Sequence, residues 1–189
     1  MKCIELVVQD HVILRRALDI LDGMVQRLEH GERIEIADAI SVALFIRLFG
    51  VEYHQTMEER ILFPALLHGA PNDSPLRQML MEHTEQRALL ATMDNALKVR
   101  KGADFVRNAL AVIALLRNHF DREDSSLREI ASFSKEEDDA LVAEVTKNRK
   151  PPESYLNFSA LEWKYASNLR GTAHSAGRPL ARAHSSTAG

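Results

Sequence analysis

A single cysteine in 189 residues, Cys3, excludes an internal disulfide framework and suits a reducing compartment. No apolar run approaches the ~18 residues that a membrane-spanning helix needs, so no membrane segment is expected. Basic residues are not in excess. The 24 Lys and Arg are outnumbered by 27 Asp and Glu, for a formal net charge of −3. A nucleic-acid binder normally carries a basic footprint, so nucleic acid is excluded as a main partner. The opening residues include Glu5, Gln9 and Asp10 and lack a signal-peptide apolar core, which makes the cytoplasm the expected location. Also missing are a G-x-S-x-G elbow, a P-loop and a Cys/His nucleophile pair. What remains is 46% apolar and 27% charged, ordinary for a globular chain with one real core.

Apolar residues recur at three- and four-residue steps over four long segments, and sustained strand alternation is absent. The first segment covers about 3 to 30 and ends at Gly31; the second covers about 36 to 68, with Pro64 expected to kink or end it. The breaker-rich "HGAPNDSP" leads to Ser74-Pro75, a cap followed by proline at the first helical position. The third segment covers about 75 to 100 with Gly102 as its close, and the fourth about 103 to 131. The expected fold is all-α: an up-down-up-down four-helix bundle over 1–133, then a short fifth helix from Ser134 within 134–150. Residues 151–189 form a C-terminal extension. Its "SYLNFSALEWKYASNL" is expected to make one aromatic-rich turn or helix docked on the bundle. From Gly171 the chain is small, polar, basic and free of acid, and reads as a disordered tail.

The apolar stripes carry polar residues where core is expected. In "HQTMEERILFP", His54 and Glu58 are four apart and share a helix face with Ile61 and Leu62. His119 and Glu123 repeat that spacing, while His11 and His83 fall on the stripes of the first and third helices. A lone histidine on such a face is commonly a core residue with one hydrogen bond, and a lone i, i+4 pair is commonly an exposed surface pair. Four imidazoles and two carboxylates in one core are different, because unpaired they cost several kcal/mol per charged group. A bound cation removes that cost. The donors exceed what one tetrahedral zinc takes, and no thiolate is available. Two metals fit better, with two histidines each and Glu58 and Glu123 bridging, and imidazole with carboxylate favours iron over manganese or zinc.

The early "QDH", "HQTMEERILFPAL", "EHTEQR" and "HFDRED" together resemble the hemerythrin-like, HHE cation-binding family over about residues 5 to 131. Ferritin-like di-iron bundles use Glu-x-x-His, and no histidine here has a glutamate three residues before it. The resemblance implies two iron ions with an oxo or hydroxo bridge, held by His11, His54, Glu58, His83, His119 and Glu123. Oxygen-carrying hemerythrins have a fifth histidine one turn after the third-helix one. That position is Arg87 here, which implies a vacancy or a water on one iron and a residue able to steer a ligand. Those proteins also use an aspartate five residues after the fourth-helix histidine, the place of Asp124. At ~100° per residue Glu123 lies about 40° from His119 and Asp124 about 140° away, which favours Glu123; the same reasoning favours Glu58 over Glu59.

The four-histidine, two-glutamate set resembles the branch that includes bacterial di-iron proteins for repair of iron centres under nitric oxide and oxidative stress. The first functional expectation is a module that binds or senses O2, NO or peroxide. An enzyme-like role in reducing those molecules or repairing iron centres is the alternative. A metal-free helical interaction module is the third.

Overall fold

The structure, a computed structural model, describes residues 1–67, 74–147, 149 and 156–166. Helix α1 is Lys2–Glu29. A second rod begins as α2, Ile36–Phe45, runs through π-helical turns Ile46–Gln55 and Glu58–Leu62, and ends as α3, Phe63–Leu67. Helices α4, Pro75–Lys98, and α5, Gly102–Ile130, complete four rods. These form the expected up-down-up-down bundle, packed in the cyclic order α1, α2, α4, α5 and back to α1. Among the described residues there is no strand.

The termini follow local chemistry, with three departures from expectation. Gly31 closes α1 at φ 76°, a left-handed conformation that costs glycine nothing. After α4, though, the left-handed residue is Arg100 at φ 55°, and Gly102 starts α5 instead of closing α4. Ser74 does precede Pro75, but its side chain makes no capping bond; the proline at the first position has no amide to satisfy. Pro64 neither ends the rod nor stands at a break, because the widened turn Glu58–Leu62 lies just before it. There the Phe63 amide donates to the Glu58 carbonyl, five residues back, and the relaxed turn absorbs what proline would otherwise disrupt.

Two apolar clusters fill the bundle. The larger holds Leu14, Leu18, Phe45, Phe49, Leu116 and Phe120, and the smaller holds Val7, Met57, Leu62, Met79 and Leu127. On each rod a histidine falls between residues of the two clusters, for example His11 between Val7 and Leu14.

Helix α6, Lys135–Thr146, starts with the reciprocal Ser134–Glu137 capping box and packs on the start of α1. Its Asp138 accepts from the Lys2 amide at 2.9 Å and the Cys3 amide at 3.0 Å, filling the donors that α1 leaves open. The segment α7, Phe158–Leu161, and the π turn Glu162–Ala166 dock along α1. Gly23 permits this approach, since a Cβ there would overlap the Tyr165 carbonyl. The tail expected to be disordered from Gly171, like His68, His174 and His184, lies outside the described residues.

Candidate metal centre

His11 on α1, His54 in the π-helical part of the second rod, His83 on α4 and His119 on α5 all turn into the bundle and are buried, as are Glu58 and Glu123. The histidines form two pairs. Nε2 of His11 and Nε2 of His54 stand 3.0 Å apart, and those of His83 and His119 stand 3.2 Å apart. Each glutamate spans both pairs. Glu58 lies 3.1 Å from His54 and 3.5 Å from His83; Glu123 lies 3.3 Å from His11 and 3.2 Å from His119. All four oxygens of these two carboxylates are buried without a hydrogen-bond partner.

Each imidazole has a carboxylate on its outer side, and each carboxylate comes from the rod before it in the packing cycle. Asp10 on α1 lies 3.6 Å from Nδ1 of His54, beyond hydrogen-bond length. Glu59 accepts from Nδ1 of His83 at 2.9 Å, Glu82 from Nδ1 of His119 at 2.8 Å, and Asp124 from Nδ1 of His11 at 2.7 Å. An Nδ1–H held outward leaves the Nε2 lone pair facing the centre, the tautomer that a metal requires. An arginine neutralises each outer acid: Arg149 on Asp10, Arg87 on Glu59, Arg122 on Glu82 and Arg15 on Asp124.

The sequence left the choice between adjacent acids to helix angle. In the structure Glu58 and Glu123 are inside, while Glu59 and Asp124 are outside on the histidines. Arg87 is partly exposed and bonds to Glu59 at 2.9 Å and to Gln55 at 3.0 Å. The outer roles of Asp10 and Glu82 went unread, although a signal existed. Every inward residue of the dipeptides Asp10-His11, Glu58-Glu59, Glu82-His83 and Glu123-Asp124 has an acid immediately beside it.

Without a cation the interior charges conflict. Burial, then the charge of Glu123, pushes the Glu58 carboxyl well above the usual carboxylate range. Glu123 goes the other way: burial opposes its charge, but His11 and His119 outweigh it. Burial brings His83 down to about 4, with His119 adding to the effect, and burial also lowers His54. On His11 burial opposes the charge, yet Asp124 and Glu123 raise its pKa. Two like carboxyls are driven apart, and His11 is pushed in the opposite direction from His54 and His83, a pattern that marks a functional site.

A family model for the hemerythrin HHE cation-binding domain matches residues 3–131. The chain belongs to that family. No curated protein and no solved structure matches it. In this hemerythrin-family chain the groups able to hold cations fall into two sets that share a carboxylate: His11, His54, Glu58 and Glu123, and His83, His119 and Glu123. The donor set fits metal, since it is all nitrogen and oxygen, inward-facing and buried, and its four carboxylate oxygens have no hydrogen-bond partner. Cys3 takes no part. It is buried near Asp138, and burial first, then that acid, pushes its thiol up to about 12, so it offers neither a thiolate ligand nor a nucleophile. Among the described residues no helix is long and apolar enough to cross a membrane.

Proposed function

We propose that this chain is a di-iron protein that binds O2, NO or peroxide. His11 and His54 would hold one ion, His83 and His119 the other, with Glu58 and Glu123 shared between them. The observation that carries the reading is the four orphaned carboxylate oxygens set between two inward-facing histidine pairs. Such groups are expensive to bury unless a cation uses them. Each ion would have two histidines and the shared carboxylates from this chain, and iron held by so few protein donors would still take up a small ligand. When bound, iron supplies Lewis acidity and one-electron redox capacity there. The chain's own part is to orient the imidazoles through their outer acids, to keep Nε2 unprotonated, and to exclude bulk water with Phe63 and Phe120, whose rings lie against His83 and His11. Asp124 and Glu59 act outside the ions, not on them.

Elemental analysis and an ultraviolet-visible spectrum of freshly purified protein test this. Two irons per chain are expected, together with a reversible spectral change when the reduced protein meets O2 or NO under anaerobic control. Sustained turnover instead of reversible change would favour the enzyme-like role. Absence of metal from wild-type protein, with none taken up on anaerobic addition of ferrous iron, would end the proposal.

A further inference from the structure

Beside the histidine pairs is a cavity with room for about one water-sized molecule. Leu14, Leu90, Leu116 and Phe120 give it apolar walls; His54 and His119, one from each pair, reach it as well. Two amides also line it, Gln55 and Gln86, both buried.

The orientation of these amides is fixed from outside. Arg87 can only donate, and its Nη1 reaches the Gln55 carbonyl oxygen at 3.0 Å while also bonding to Glu59. With its oxygen held by Arg87, Gln55 turns its Nε2 to Gln86 and donates to that carbonyl oxygen. Gln86 has then used its acceptor. Its Nε2 is left buried, 1% of the residue being exposed, with no partner. Reversing either amide would set donor against donor. A donor-only guanidinium at one end therefore forces a free N–H at the other, on the wall of a cavity that two metal-facing histidines share.

We propose that Gln86 Nε2 is the hydrogen-bond donor to the terminal atom of a small ligand that projects into this cavity, which has room for that atom alone. The site thus selects ligands with a negatively polarised acceptor atom, such as azide or reduced forms of O2. The proposal rests on the di-iron reading above and adds to it a residue outside the metal ligands. Arg87 is a positioning residue in this scheme, acting through Gln55 and not on the ligand.

The test uses azide and the diferric full-length protein. Gln86→Leu is expected to keep its iron content and to bind azide about 10- to 100-fold more weakly, the loss expected for a hydrogen bond to a charged acceptor. Gln86→Met keeps the length but has no N–H to donate, and is expected to bind azide about as weakly as the Leu variant; it decides the matter if Gln86→Leu does not fold. The infrared azide stretch should shift on transfer to D2O in wild-type protein and stay put in either variant. Iron-loaded variants with wild-type azide affinity and a persistent D2O shift would overturn the donor role while leaving the di-iron reading intact. A wild-type protein without iron would overturn that reading, and this proposal with it.

Discussion

Asp124 accepts a hydrogen bond from Nδ1 of His11 at 2.7 Å, so the acid next to Glu123 serves a histidine on a different helix. The two neighbouring acids should therefore respond differently to mutation. Glu123→Ala removes a group shared by both cation sets and is expected to abolish stable loading of two ions. Asp124→Asn loosens one imidazole from outside and is expected to weaken metal affinity about 10- to 100-fold without abolishing it. Competition against a chromophoric chelator measures both; equal effects from the two would refute this division of roles.

Metal removal should destabilise the protein, because Glu58 and Glu123 are left buried and unpartnered. A ligand present at about 1,000 times its dissociation constant stabilises by about 4 kcal/mol, which in a chain of this size corresponds to about 10 °C in Tm. Calorimetry of loaded and chelator-stripped protein should show a gap of that order. Glu58→Gln should narrow the gap by removing one of the two opposed acids while also weakening metal uptake. An unchanged gap would mean that Glu58 does not contact the ions.

Arg149 connects a residue beyond the family match to the centre, since it pairs with Asp10, which is fully buried on the outer side of His54. Removing one member of such a pair costs about 3 to 5 kcal/mol, less here because Arg149 remains partly accessible. Arg149→Met should lower Tm and weaken metal retention together. Asp10→Asn in the same background should add little further loss, and a double-mutant cycle reads the coupling.

Asp138 gives the fold an acid limit outside the metal site. The Cys3 side chain, with the Cys3 and Lys2 amides, holds its carboxyl down to about 2. A depressed carboxyl contributes stability that is whole above its unfolded value, ~3.9, and that fades as pH falls toward the folded value. Urea titrations between pH 5 and 2 should show this loss in the stripped wild type. Asp138→Ala should be less stable at pH 5, by about 0.5–2 kcal/mol for a lost helix cap, and flatter across that range. Parallel pH profiles for the two proteins would contradict the assignment.

The four rods were legible in the sequence because core-facing residues recur at helical steps, and His11, His54, His83 and His119 were legible because each interrupts an apolar stripe. Glu58 and Glu123 followed from one-turn spacing. Periodicity could not reveal the π-helical turns around His54, which depend on how the rod meets its neighbours and which carry Pro64 without a break. Nor could it assign Asp10 and Glu82, since an acid beside a histidine in sequence points to another face and finds its partner only across an interface. Gln55 and Gln86 looked like ordinary polar residues; only the Arg87 contact gives their amides a direction.

The outer acids have one more consequence, and it is mechanical. Three of the four rods hold the imidazole of the next by a hydrogen bond, while Asp10 stands 3.6 Å from that of His54, so a roll or slide of one rod should disturb its neighbours. Loss of one clasp should then be felt at the far pair of donors, and the centre should load and empty as an interlocked, all-or-none unit instead of one ion at a time.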